Sequence, residues 1–351
     1  MTSVERWQAV LHGKTPDRLP CFFNATAEAE AKLMRHLAVD SHEKLLERLH
    51  IDRVATVTPR YVGPPLAADA TVFGARFQNI PYAGGVYSGI DGVVTHHPLA
   101  AFSSVEEIEE NYTWPSPDWW EYKDLTQQVE NKEGWILIAG GSEPFMDYKE
   151  QLRGTEQAFV DLIQNPEIVH YCLEKLYHLC YENTRRIYES LPGRIFGSWV
   201  AEDMGTQESL LYSPAQIRDF FFPHMKRMID LVHGFGGVVF HHSDGAIRPL
   251  VPELIDLGID VLNPIQWRCA GMDREGLARD FAGKVVFHGG VDNQFTLAFG
   301  NPEQVKEEVR DNTRILGAHG GYIVGPCHKI QVISPPENVV ALYEAVNEMN
   351  A

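Results

Sequence analysis

Short apolar runs rich in Val, Ile and Phe recur along the chain, and between them apolar residues return every three or four positions. The first pattern predicts buried strands and the second amphipathic helices. The runs are Leu19–Asn24, Arg53–Thr58, Trp135–Gly140, Arg194–Val200, Gly237–His242, Ile259–Asn263, Lys284–His288 and Gly321–Val324. Helix starts are marked by Pro214 after Ser213, by Pro302 after Asn301 and by Pro336, each a proline placed where a first helical turn tolerates it. Eight strands alternating with helices predict an α/β fold, a (β/α)8 TIM barrel. No glycine-rich dinucleotide fingerprint follows an early strand, which argues against an open doubly wound sheet.

The 351 residues suit one such barrel with insertions, since the bare fold takes ~250. We therefore read residues 1–351 as a single domain. Between the second and third runs, residues 60–134 form an excursion too long for a simple loop. Alternation over Thr71–Phe77 and Gly85–Thr95 predicts a hairpin there, followed by an acidic helix at Val105–Asn111. A cap-like insertion over the barrel mouth is the expectation.

A formal charge of −18 opposes binding to phosphate backbones and anionic membranes. Five cysteines without a CxxC pair argue against a disulfide framework and a zinc ribbon. No signal-like or membrane-spanning apolar stretch is present, so a cytoplasmic location is expected. The oligomeric state stays open, with a homodimer among the options.

In barrels of this kind, chemistry collects at the C-terminal strand ends. The residues there are Asn24, Arg60, Ser142, Glu143, Glu202, Asp203, His241, His242, Ser243, Asp244, Asn263, Gln266, His288, Asp292, Cys327 and His328. Strand alternation puts His242 and Asp244 on one face and His241 and Ser243 on the other. An imidazole and a carboxylate so placed can bind one metal ion, with Cys327 supplying a thiolate and Glu202 a further oxygen. Zinc accepts that mixture and keeps an open position in catalytic sites. Plainer roles compete: Asp244 as a helix cap, Cys327 as an inert thiol, each histidine as a hydrogen-bonded structural group. Gly289-Gly290 and Gly320-Gly321 read as tight connections, because no P-loop lysine and serine stand in register.

The segments Trp199–Gln207, His242–Gly245, Gly258–Gln266, Phe287–Asp292, Pro326–Gln331 and Pro335–Val339, with Lys14–Pro20 at the start, resemble the uroporphyrinogen decarboxylase superfamily over nearly the whole chain. The resemblance implies the same barrel and one of two chemistries: cofactor-free decarboxylation of porphyrinogen acetates, or methyl transfer involving a corrinoid, usually with zinc. True decarboxylases carry an arginine-rich motif after the first strand. Here Cys21–Lys32 has no arginine and two glutamates, which disfavours a polycarboxylate substrate. The methyltransferase branch shows His-x-Cys on the fifth strand and a Cys near the eighth. His242 and Cys327 match, while Asp244 stands in place of a cysteine and makes the site harder and more oxygen-seeking. The expectation is a zinc-assisted, corrinoid-dependent demethylase of a small O- or N-methyl compound, its corrinoid carried by a partner protein. His242, Cys327, Glu202 and Asp244 are the metal candidates. Glu202, Asp244 and His328 are the proton carriers, and Asn24, Glu143, Gln266 and His288 the substrate contacts. The alternatives are a metal-free decarboxylase of a small acid and a non-catalytic binding protein on the same barrel.

Overall fold

The computed structural model describes residues 1–84 and 87–349. Eleven strands are present among them: β1 (Val54–Val57), β2 (Arg60–Tyr61), β3 (Arg76–Gly84), β4 (Tyr87–His96), β5 (Trp120–Glu121), β6 (Ile136–Ser142), β7 (Gly197–Val200), β8 (Val238–His242), β9 (Val261–Asn263), β10 (Val286–Val291) and β11 (Tyr322–Pro326). Seven of them form one curled, all-parallel sheet in the order β1-β6-β7-β8-β9-β10-β11, with helices between successive strands. Sequence order equals spatial order, as repeated βα units require.

The strand expected at Leu19–Asn24 is reduced to an isolated bridge, Cys21 to Val324, with Phe22 N–H donating to Val324 (2.8 Å) and Val324 N–H to Pro20 (2.9 Å). Two local features explain the reduction. Pro20 has no amide hydrogen to offer a ladder, and the Cys21 N–H is taken by the Asp52 carboxylate at 3.0 Å. Among the described residues the eight-stranded expectation is thus met by seven strands and one bridge.

Alternation along the strands sorts the core into two layers. Ile136, Ile138, Phe240, Val261, Val286 and Ile323 join Trp7 and Val10 in an inner cluster. Their neighbours Leu137, Ala139, Val239, Leu262, Phe287 and Val324 pack outward beneath the helices. Both faces are covered, so β10 and β11 are buried at every residue. The helix Ser3–Leu11, closed by a Thr2/Glu5 capping box, supplies Trp7 to the inner layer. The starts read at Ser213 and Asn301 are capping boxes with Gln216 and Gln304.

The 60–134 excursion leaves the sheet at the C-terminal end of β1. It holds the antiparallel pair β2–β5, the hairpin β3–β4 and the expected helix Val105–Asn111, capped by Ser104. The first hairpin arm begins later than the alternation implied, and Gly85 and Val86 of the expected second arm lie outside the described residues. The excursion is tied to the body by Arg153, which donates to the Leu99 and Phe102 carbonyls and pairs with the buried Asp161.

Candidate functional site

Counting by twos from the inner layer carries the chain to its chemistry. Phe240 faces inward, so His242 does too; Val261 leads to Asn263 and Val286 to His288. β8 and β9 pair Phe240 with Val261 and His242 with Asn263, while Val286 pairs with Val261. The three polar residues therefore occupy one level above an apolar floor.

At that level a metal-ligating arrangement assembles. His242, Asp244 and His328 each offer a ligand atom, all within 4.8 Å of one another, the one such group of three or more among the described residues. His242 Nε2 lies 3.8 Å from Asp244 and 3.9 Å from Asp203, and His328 Nε2 lies 4.0 Å from Asp244. One Asp244 oxygen is buried without a hydrogen-bond partner, and burial raises this carboxyl above its ordinary range. No helix cap uses Asp244, since the next helical turn starts at Arg248 with no side-chain cap. Two imidazoles and a carboxylate with unspent lone pairs form a donor set that fits zinc.

Cys327 and Glu202 are not in this group, contrary to the ligand set read from the sequence. The Cys327 thiol donates to the Ile265 carbonyl at 3.3 Å, and burial pushes its pKa well up, so it rests as a thiol. Its neighbour His328 takes the place expected of it. Glu202 is buried and accepts the Phe145 N–H at 2.7 Å; burial raises its carboxyl as well. It joins the end of β7 to the turn that follows β6.

His242 and His328 stand on the wall of a cavity of about 660 Å³ at the C-terminal ends of the strands, where Asn24, Thr56, Glu143, Asp147, Trp199 and Lys329 also line it. A second hollow of about 440 Å³ shares Cys327, His328 and Lys329 with it and is bounded by Asp244 and Gln266. Glu143 keeps an exposed edge, yet desolvation at the cavity wall raises its carboxyl, with His242 pulling the other way. Asp147, one helical turn beyond, is pushed up to about 7 by burial and by Glu143. Sequence reading missed Asp147, although a strand-end Glu followed four residues later by Asp was a usable signal.

Other expected residues have different work. His288, expected among the substrate contacts, is buried and stands outside the lining of both cavities. Gln266 accepts the Gly245 N–H at 2.7 Å and fixes the loop that carries Asp244. His241 faces the helices, its Nδ1 at 2.8 Å from the Val200 carbonyl, and Ser243 accepts the Met204 N–H. Asp292 gathers the amides of Gln294, Phe295 and Thr296 and pairs with Arg268. Arg60 pairs with Glu121 and Asp124 in the excursion.

A family profile described as uroporphyrinogen decarboxylase (URO-D) matches residues 136–349, which carry all three members of the group. The chain is 28% identical over 221 residues to the uroporphyrinogen decarboxylase of Anaeromyxobacter sp. (strain Fw109-5), covering 60% of this chain and 58% of that protein. It is 24% identical over 285 residues to the chloroplastic uroporphyrinogen decarboxylase of Zea mays, covering 76% and 65%. The chain thus spans just over half to about two thirds of these relatives' length. Among solved structures, a methyltransferase from Methanosarcina mazei superposes with a TM-score of 0.69 at 18% identity, covering 100% of both chains, which establishes a common fold. Because the profile takes in β6 through the last helix, more than half of the sequence, the chain belongs to the uroporphyrinogen decarboxylase (URO-D) family.

Proposed function

We propose that this protein is a zinc-assisted methyltransferase on the closed (β/α)8 form of this fold, one that demethylates a small O- or N-methyl compound and passes the methyl group to a corrinoid carried by a separate protein. The observation that carries the reading is the convergence of His242, Asp244 and His328 beside a cavity whose described lining includes Glu143 and Asp147. Lys329 is the one lysine or arginine among the described lining residues, and Lys32, the basic residue of the Cys21–Lys32 segment, is spent on the Val332 and Ser334 carbonyls. A polycarboxylate would meet acid where it needs cations, which weighs against porphyrinogen decarboxylation. The low identity to decarboxylases and the full-length fold match to a methyltransferase support the same choice.

His242, Asp244 and His328 would hold the metal. Zinc, when bound, supplies a Lewis acid with an open coordination position. The chain's own residues do the rest. A departing oxygen or nitrogen must take up a proton, and Asp147, pushed up to about 7, is the acid in the cavity that holds one near neutral pH, with Glu143, raised above its ordinary range, one helical turn away. Trp199 and Phe22 give the cavity an apolar wall for the methyl-bearing group.

The test is anaerobic mixing with cob(I)alamin and a panel of methoxy and methylamino compounds, followed by the absorbance of methylcobalamin. The parent should form it and bind about one zinc per chain, and His242→Ala should lose on the order of 100-fold in rate. Carbon dioxide release from carboxylated pyrroles without corrinoid would instead establish the decarboxylase. An unchanged rate in His242→Ala would remove the site.

A further inference from the structure

His242 can act through Nε2 only if its proton sits on Nδ1, and the structure contains a device for that choice. His242 Nδ1 lies 2.7 Å from Asn263 Oδ1, and Asn263 Nδ2 lies 2.6 Å from His288 Nδ1. An amide's orientation is decided by what flanks it. With Oδ1 toward His242, that ring donates from Nδ1; with Nδ2 toward His288, that ring accepts at Nδ1 and carries its own proton on Nε2. Rotating the amide would reverse both assignments and put the His242 proton on Nε2, where a metal or a substrate proton must go.

The environment of His288 decides between the two. Its ring is buried among Trp7, Phe22, Trp199 and Phe240, with centroids at 5.8, 4.9, 6.2 and 6.4 Å. Burial pushes its pKa down to about 3, so the ring is neutral and holds a single proton. Nε2 has no hydrogen-bond partner. Aromatic faces are electron-rich, so they accept an N–H and repel a lone pair. The four rings of this box stand tilted or edge-on to the imidazole, at 64°, 59°, 86° and 81°, surroundings that suit Nε2–H on His288 better than a bare lone pair and would turn the Asn263 amide accordingly.

We propose that His288, acting through Asn263, is a positioning residue that keeps the His242 proton on Nδ1 and its Nε2 lone pair open toward Asp244 and His328. The proposal rests on the preceding reading in taking His242 as a ligand. A ligating imidazole is normally held this way by a partner on its other nitrogen; here the partner is itself set by a second histidine one strand further on.

The experiment uses long-range proton–nitrogen spectra of metal-free, 15N-histidine-labelled protein, with His242 and His288 assigned by substitution, and zinc affinity by chelator competition. The parent should show Nδ1–H at His242 and Nε2–H at His288. His288→Leu should populate both forms of His242. Asn263→Leu should weaken zinc about 10–100-fold. Asn263→Asp, which accepts from His242 but cannot donate to His288, should hold His242 as Nδ1–H, move the His288 proton to Nδ1 and keep zinc affinity within about threefold. This isosteric variant carries the test if the leucine variants do not fold. An Nε2–H form of His242 in the parent, or spectra and zinc affinity unmoved by Asn263→Leu and His288→Leu, would overturn the proposal. If the parent binds no zinc, the metal reading falls, and the metal-free spectra still decide the relay.

Discussion

Asp147 is the residue whose protonation most directly reports on the cavity. Its carboxyl sits at about 7 against an ordinary 3.8, because burial and Glu143 both oppose its charge, while Gln151 donates to it at 2.5 Å. The folded state therefore keeps this proton over a range in which the unfolded chain has lost it. Stability from this group is complete below about pH 4, declines as pH rises toward 7, and is level above. The full shift, reduced for solvent reaching the cavity, corresponds to roughly 2 kcal/mol. Asp147→Asn keeps the acceptor for Gln151 and removes the ionisation, so its stability relative to the parent should rise from near zero at pH 4 to about 2 kcal/mol at pH 8 in denaturant titrations. A difference constant across that range would place Asp147 in solvent. At this scale the sequence was a partial guide. Alternation correctly coupled His242 to Asp244, because side-chain direction on a strand has a period of two. It was silent beyond the strand, where a turn decides which side chain arrives: Cys327 found the Ile265 carbonyl, and His328 reached the site.

The elements were more legible than the site, for a physical reason. A strand with both faces covered is mostly apolar, and seven of the eight runs lie within a few residues of an observed strand of the sheet. The one that does not, Leu19–Asn24, has the right apolar content, but its backbone hydrogen bonds are divided among Asp52, a short stretch of β11 and, at the Asn24 carbonyl, the Ile330 N–H beyond it. Hydrogen-bond allegiance is not written in hydropathy. The same holds for β6, where Ala139-Gly140-Gly141-Ser142 reads as a plain strand end. The ladder with β7 instead slips between Ile138 and Gly141, and Gly141 adopts φ +108°, bonded through its N–H to Thr184 at 2.9 Å. A Cβ there would stand 1.9 Å from the Trp199 carbonyl oxygen, a backbone atom that cannot turn aside. Gly141→Ala should therefore cost more than about 3 kcal/mol, adding left-handed strain to a clash within the sheet. Alanine at Gly193, where φ is +69° and a Cβ meets nothing within 4 Å, should cost only the conformational part, roughly 1 kcal/mol. Equal losses in the two variants, measured by denaturant unfolding, would refute the proposed clash.

Across the whole molecule, the two ends of the sheet divide stability from chemistry. The larger hollow, about 810 Å³, lies at the N-terminal end among Val4, Gln8, Arg194, His233 and Lys284, yet the convergent group of titratable side chains is at the other end. Size alone points to the N-terminal end, whereas strand polarity points to the end that holds the convergent group. Trp7 connects the ends. From the helix Ser3–Leu11 its ring reaches the inner layer beside Phe196 and Phe240, its Nε1–H donates to Asp52 at 3.0 Å, and one ring contact is His288, beneath the candidate ligands. Trp7→Ala should lose about 3–5 kcal/mol from packing and the cavity left behind. Trp7→Phe, which keeps a ring but leaves Asp52 without the indole donor, should lose about 1–2 kcal/mol. The two variants also separate support from electrostatics at the site. Phenylalanine still presents an aromatic face to His288 and should leave the His242 proton on Nδ1, whereas alanine removes one wall of the box and should let both ring forms appear in nitrogen spectra. If Trp7→Ala unfolds with the parent's free energy and the parent's histidine spectrum, the N-terminal helix is a bystander, and the floor of the sheet does not reach the candidate ligands above it.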